Sequence, residues 1–453
     1  MKNLILVLTT ISLLAMATSS CEKDTSYLQK IEDPQLLRDC MENLSDVIVY
    51  DIFSPPVASR IYAYPSVAAY ELMAKGDTRY RSLVGQLTDF DGLPDPTDED
   101  VLMQLAALQA FNFVGDTLIF SKDKMMAYME SFEAKIKDDY GVPDKVWDAS
   151  QSYAREVANS IIGWMSKDNY AQTRTFTQFT VNDQSGRWVP TPPDYMSAIE
   201  PHWNKIRPFV IDSATQFIPV RPPEFTMDPS SQFFEDVMEV YEVTKDLENE
   251  EAEIAQFWDC NPFVMHHKGH VMYATKKITP GGHWVGITGI TTLAAESNFG
   301  ETAEAYLWCT LSLADAFISC WDEKYRSALI RPETVINKFM DEDWMPLLQT
   351  PPFPEYTSGH SVISRAAATS LTHLFGESFG YVDSVEVKWG LPPRAYESFY
   401  AASEEAAISR LYGGIHYRPA IDNGVAQGQK VGNYIVTHLN TRAEQVDQIS
   451  SNP

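Results

Sequence analysis

Cysteine is scarce in this chain. Five occur in 453 residues and none forms a CxxC pair, which argues against a zinc ribbon. Positive charge is scarce too: 35 Lys and Arg stand against 62 Asp and Glu, for a net charge of −27. Such a surface repels nucleic acid and anionic lipid headgroups. Strand signals are few, low-complexity tracts are absent, and no repeat recurs at solenoid periods. The apolar run at the N-terminus, Leu4 to Met16, is too short for a membrane span. What is present is length and apolar content enough for one large domain or two ordinary ones.

That apolar run follows Lys2 and leads through the small residues Ala17 to Ser20 into Cys21. The order reads as a secretory signal, residues 1–20. Small residues directly before a Cys resemble a bacterial lipobox, with Cys21 lipidated as the first mature residue. Glu22-Lys-Asp24 resembles the acidic tag of surface-exposed lipoproteins of some Gram-negative bacteria. The expected location is the outer membrane, reached only through the lipid anchor. Four cysteines remain, Cys40, Cys260, Cys309 and Cys320. The last two share a helix face but lie about three turns apart, too far to bridge.

The remaining signal is helical. Apolar spacing of three and four predicts helices near 34–51, 56–75, 98–116, 121–140 and 144–166. The acidic run 98–100 suits the first turn of the third. Prolines crowd 167–230, interleaved with Trp188, Tyr195, Trp203, Phe209 and Phe217. Aromatics give such a loop something to bury, so it reads as ordered, either covering a pocket or wrapping helices. Residues 230–258 read as helical and acidic, and 247–253 as a solvated helix face. Residues 259–290 read as irregular and rich in His and Gly. Helices resume near 301–322, 333–340, 360–375, 403–412 and 420–438. The expectation is an all-α, bundle-like fold, with an N-terminal helical region at 21–230 and a catalytic region at 231–453. That boundary is weakly marked and one domain remains open.

Three segments carry chemistry. The first is Lys324 to Pro332. Lys324 and Arg331 are seven apart, so on one continuous helix both would project from the same face and repel unless an anion sat between them. Alone this reads first as a solvated basic face. The second is Phe353 to His360, ending Ser358-Gly359-His360. Ser before Gly at a helix start offers a hydroxyl and free N–H groups, an oxyanion cradle. Alone it is equally a simple N-cap with a surface His. The third is Ser409 to His416, where Arg410 offers a planar fork and Gly413-Gly414 lets the chain turn sharply to re-aim His416. Alone it reads first as a core His after a helix end.

Taken in this order, the three segments resemble the signature shared by PAP2-type acid phosphatases and vanadium-dependent haloperoxidases. The resemblance covers roughly 300–440. It includes the lead-in Leu313-Ala-Asp315-Ala, the stretch Cys320-Trp321-Asp322-Glu-Lys324-Tyr325, and the approach Asp341-Glu-Asp343-Trp344 to Thr350-Pro-Pro-Phe-Pro-Glu-Tyr. Pro280-Gly-Gly-His283-Trp284 and Ser54 to Arg60 are fainter echoes. The resemblance implies that Lys324, Arg331 and Arg410 hold the equatorial oxygens of phosphate or vanadate. Ser358 and the Gly359 N–H would add hydrogen bonds. His416 would be the apical vanadium ligand or the phosphorus nucleophile, and His360 the acid–base opposite. A five-coordinate oxyanion spreads charge over its equator, and one preorganised donor is worth on the order of 2–4 kcal/mol to it.

The sequence departs from the family pattern at three positions. Thr357 stands where Pro usually precedes Ser-Gly-His, and Ile330 where haloperoxidases carry Trp before the Arg. Ala420 stands where an Asp usually follows the last His by four residues, and Asp422 is the nearest substitute to fix the His416 tautomer. Two enzymes are therefore implied. One is a haloperoxidase holding vanadate and oxidising halide with peroxide; the other is a phosphatase acting on a phosphoester through phospho-His416, with no required cofactor. Chain length, the Trp321 lead-in and Phe353 favour the first. A surface lipoprotein that keeps the fold and binds without turnover is the third reading. His266, His267 and His270, with His283 nearby, offer a transition-metal alternative that lacks a completing carboxylate spacing. Oligomeric state is not fixed by the sequence, and a homodimer is compatible with it.

Overall fold

The computed structural model describes residues 25–443 except 183, 263, 269 and 270, and gives no side-chain placement for 265–268 and 271–274. Cys21 lies outside the described residues, as do the side chains of His266, His267 and His270. Fifteen α-helices, one π-helical turn, two 3-10 turns and two small hairpins make up the regular structure among the described residues. The N-terminal helices are α1 (Ser26–Ile31), α2 (Gln35–Tyr50), α3 (Pro55–Gly76), α4 (Met103–Leu118), α5 (Lys122–Ala134), α6 (Asp144–Met165) and the short α7 (Tyr170–Thr173). Then come α8 (Gln232–Lys245), α9 (Asn249–Phe257), the hairpin β1 (Val264–Lys268) and β2 (Val271–Thr275), α10 (Pro280–Ala294), α11 (Phe299–Ser327) and α12 (Pro332–Phe339). The chain closes with α13 (Gly359–Phe375), the hairpin β3 (Tyr381–Asp383) and β4 (Arg394–Tyr396), α14 (Phe399–Tyr412) and α15 (Arg418–His438). Both hairpins are antiparallel, paired Val264 to Thr275 and Tyr381 to Tyr396. The fold is mostly helical, as expected.

The axis of the fold is α11. A capping box starts it: the Asn298 side chain accepts from the Glu301 N–H and the Glu301 carboxylate accepts from the Asn298 N–H, both at 3.0 Å. This satisfies two otherwise orphaned donors. Every residue from Thr302 to Lys324 is buried, so the helix is covered on all sides. It packs against α3, α10, α13 and α15, and α3 in turn packs on α4. Polar groups within the helix are tied to specific partners. Asp315 accepts the N–H groups of Phe209, Val210 and Ile211 at 2.7, 2.7 and 2.9 Å. Asp322 accepts from Asn204 at 2.9 Å. Burial without such partners would cost several kcal/mol, of order 2–7 per group.

The proline-rich stretch is a brace along this helix. Trp188, Trp203 and Phe209 are buried. The Ile199 carbonyl accepts from the Trp321 indole at 3.2 Å and from the Tyr325 hydroxyl. The Trp188 N–H donates to the Ala328 carbonyl at 2.8 Å and the Ile330 N–H to the Gly186 carbonyl at 3.0 Å. Of the other interleaved aromatics, Phe217 is half-buried and Tyr195 is exposed.

Three expectations change. The acidic run 98–100 precedes α4, which begins at Met103, so it does not serve as a first helical turn. Residues 259–290 are not irregular throughout, because they hold a hairpin and the apolar helix α10. Lys324 and Arg331 do not share one helix face. The helix α11 stops at Ser327, Ala328 turns it off in the left-handed region at φ 46°, and Arg331 is the N-cap residue of α12 ahead of Pro332.

Candidate active site

Each motif side chain sits at a helix end, where backbone groups lack helical partners. Lys324 is in the last turn of α11, and Arg331 caps α12. Ser358 caps α13, its hydroxyl accepting from the Ser361 N–H at 3.3 Å, with Gly359 and His360 in the first turn. Arg410 lies in the last turn of α14. Gly414, at φ 74°, turns the chain so that His416 precedes α15; a Cβ there would come within 3.1 Å of Pro346 and Thr244.

These ends meet. Lys324 donates to the Pro354 and Glu355 carbonyls at 3.0 and 3.1 Å. Arg331 donates from Nε to the Phe353 carbonyl at 2.9 Å and from Nη1 to the Ile415 carbonyl at 2.8 Å and His416 Nε2 at 3.2 Å. Its Nη2 is buried with no partner. Arg410 donates to the Trp258 carbonyl at 2.7 Å. The ring of Phe353 lies under both Lys324, at 4.9 Å, and Arg331, at 5.1 Å. Phe353, Gly359, His360, Arg410 and His416 line one pocket. All three cations are buried, and among the described residues none forms an ion pair with a carboxylate.

The electrostatics follow from that isolation. Burial pushes the Lys324 ammonium down to about 7, with Arg331 adding repulsion. Burial also lowers Arg331 and Arg410 to about 10, so both stay cationic at neutral pH. His416 is held well below its ordinary range by burial, then by Arg331, Lys324 and Arg410. His360 is likewise held low by burial and by Arg410. Both imidazoles are therefore neutral. An arginine can only donate, so His416 Nε2 accepts and its proton sits on Nδ1. The His360 Nε2 is buried and unpartnered while the ring bonds to the Trp258 backbone. A carbonyl can only accept, so Nδ1 of His360 carries the proton and Nε2 presents a free lone pair to the site.

Asp422 does not support His416. It is exposed, and the charges acting on it are those of Arg418 and Glu239. The carboxylate on His416 Nδ1 belongs to Glu355, at 2.8 Å, which also accepts the Tyr417 N–H at 3.0 Å. Glu355 is fully buried, and burial raises it to about 7 against the pull of Arg331 and Lys324. No spacing rule pointed to it. It lies in the Pro-rich approach to α13, 61 residues before its histidine, and only the fold joins them.

The residues present suit a tetrahedral oxyanion bound near His416 Nε2. Three buried cations lack a carboxylate partner, one guanidinium nitrogen is orphaned, and the neutral His416 lone pair is met by the Arg331 guanidinium, itself an anion donor. Vanadate and phosphate both match that donor set.

Comparison with known proteins accords with this geometry. A family model for the second helical-bundle domain of VCPO matches residues 337–445. The structure of the first bacterial vanadium-dependent iodoperoxidase is 49% identical, with a TM-score of 0.86, over 91% of this chain and 98% of that one. The holo and apo forms of a bacterial vanadium-dependent chloroperoxidase share the fold, at 16% and 15% identity and a TM-score of 0.64 each. The holo form is covered over 93% of its length by 86% of this chain, and the apo form over 94% by 85%. No curated protein sequence matches.

Two measurements check the site. Glu355→Ala should weaken vanadate binding about 10- to 100-fold, the usual worth of a group that orients a ligating histidine, while Asp422→Ala leaves it unchanged. Titration of both variants with vanadate reads this, and an effect confined to Asp422→Ala would make Asp422, not Glu355, the support of His416. The second concerns pH. A lysine lowered to about 7 is charged only below that value, and an anion favours the charged form. Above pH 7, binding must therefore take up a proton, and affinity should fall roughly tenfold per pH unit relative to Lys324→Arg. Calorimetric titration of both proteins across pH 6–9 measures the slopes, and equal slopes would remove Lys324 from the clamp.

Proposed function

The chain belongs to the vanadium-dependent haloperoxidase family, and on that premise we propose that it oxidises iodide with hydrogen peroxide at the Lys324–Arg331–Arg410–His416 site. The observation that carries the reading is the set of three buried cations without carboxylate partners, converging on a neutral histidine whose lone pair faces them. The choice of iodide is supported by the 49% identity to a bacterial iodoperoxidase. Vanadate is the family's cofactor, and when bound it supplies the Lewis acidity that activates peroxide toward halide. The residues that would hold it here are His416 through Nε2, Lys324, Arg331, Arg410, Ser358 and the Gly359 N–H.

The protein's own groups then do the following. The three cations and the amide donors hold negative charge in a fixed, dry setting, where such donors are worth more than in water. Glu355 holds the Nδ1 proton of His416 and so keeps Nε2 basic. His360 Nε2 is free and neutral, placed to accept a proton from peroxide as it enters and to return one to the departing oxygen. Phe353 covers Lys324 and Arg331 with an apolar face, which excludes water from the cations.

An assay of iodide oxidation with peroxide, with and without vanadate, tests the reading. Activity should require vanadate and fall at least 100-fold in His416→Ala, about 2.7 kcal/mol. Vanadate-independent iodide oxidation would overturn it. So would release of phosphate from a generic ester that vanadate inhibits, the signature of the phosphatase alternative.

We further propose that Cys21 is lipid-modified and anchors the enzyme to the outer membrane. The support is the apolar run Leu4 to Met16 followed by small residues before Cys21. On fractionation of cells expressing the full chain, Cys21→Ser should move the enzyme from the membrane to the soluble fraction. Identical partitioning of both forms would remove the anchor.

A further inference from the structure

Against the wall of the pocket, which Cys260 lines, stands a second cluster that the haloperoxidase reading leaves unused. His283 on α10 is fully buried. Its Nε2 meets Asp383, at the end of β3, at 2.7 Å. Its Nδ1 faces two groups at once: the Glu386 carboxylate at 3.1 Å and the Cys260 thiol at 3.4 Å. Cys260 and Glu386 are themselves 3.8 Å apart. The three donor atoms come from three separate segments and all are buried.

We propose that Cys260, His283 and Glu386 form a structural site for a divalent transition ion of the zinc type, with Asp383 as the carboxylate that orients His283. Two observations carry this. The first is geometric. Zinc bonds of about 2.3 Å to sulfur and 2.0–2.2 Å to nitrogen and oxygen, set tetrahedrally, place donors about 3.3–3.6 Å apart. The separations of 3.1, 3.4 and 3.8 Å bracket that triangle. The second is chemical. A mixed thiolate, imidazole and carboxylate set suits zinc and its neighbours, not calcium or magnesium. A ligating histidine with its other nitrogen on a carboxylate is the usual outer arrangement of such sites. The described residues supply three donors, and the fourth position falls to a ligand from outside the chain.

The site would pin the catalytic pocket. The Trp258 ring stacks on His283 at 4.5 Å between centroids, 20° from parallel. The same residue's carbonyl holds Arg410. An ion on Cys260 and His283 would thus fix the segment that positions one cation of the clamp.

Metal analysis of the purified, vanadate-free full chain tests this. The protein is equilibrated with zinc, dialysed and measured by mass spectrometry, then reloaded with cobalt(II) for absorption. Wild type should retain one equivalent, and its cobalt form should show an intense thiolate-to-metal charge-transfer band with tetrahedral d–d bands. Cys260→Ser should lose that band, and both Cys260→Ser and Glu386→Gln should bind zinc at least tenfold more weakly while keeping the wild-type circular dichroism. Failure of wild type to retain zinc would overturn the proposal, leaving His283 as a buried imidazolium between two carboxylates. Unchanged zinc content in both variants would overturn it as well, since the ion would then lie elsewhere. Iodide oxidation does not enter these readouts, so they stand apart from the activity test.

Discussion

The constraint on which the rest depends is the burial of three positive charges with no negative side chain to pair them. Lys324, Arg331 and Arg410 are almost wholly removed from water. An isolated buried charge costs several kcal/mol even after relaxation. Here the cost is partly offset by main-chain carbonyls, which carry partial negative charge without neutralising the cation. What remains uncompensated is an attraction for an anion. Burial drives Lys324 to about 7, and this is the same fact seen as a proton equilibrium. The carboxylate that acts most on Lys324 and Arg331, Glu355, is turned toward His416 and the Tyr417 N–H instead. If it formed a direct ion pair with Arg331 or Lys324, it would fill the role that the vanadate is needed for.

That arrangement requires a frame that does not relax around it. The frame is α11, covered on all sides, together with the Pro-rich brace fastened along it. Asp315 gathers three consecutive N–H groups from the brace, and Gly186 and Ala328 join it to the bend between Lys324 and Arg331. The bend matters because it brings Arg331 round from the start of a second helix. Two cations on one straight helix would both face a single direction. Two cations on successive helix ends can approach an anion from different sides.

Much of the fold was legible in the sequence because helical periodicity is local and strong. The core stretches of α11, α13 and α15 follow from apolar spacing, and the motif residues follow from the chemistry their types allow. The failures share one cause, the non-local placement of a loop or helix end. Continuous spacing from Lys324 to Arg331 suggested one helix, and only the left-handed Ala328 shows the break. Asp422 is the acid nearest in the chain to the position where the family carries an Asp after His416. Glu355 does that task from a distant loop, and its identity as a carboxylate within Phe353-Pro-Glu-Tyr gave no sign of its partner. The hairpin within 259–290 was missed because a few alternating residues among Gly and His carry little period-two signal.

The hydrogen bonds that aim the three cations go largely to backbone carbonyls: Pro354 and Glu355 for Lys324, Phe353 and Ile415 for Arg331, Trp258 for Arg410. A carbonyl persists whatever side chain its residue carries. Drift at these positions can therefore reshape the walls of the pocket while the acceptors that orient the cations survive every point substitution. Heritable change is thus channelled toward what enters the pocket and away from whether an oxyanion is held there. A lineage could explore new substrates from this scaffold without first losing its cofactor.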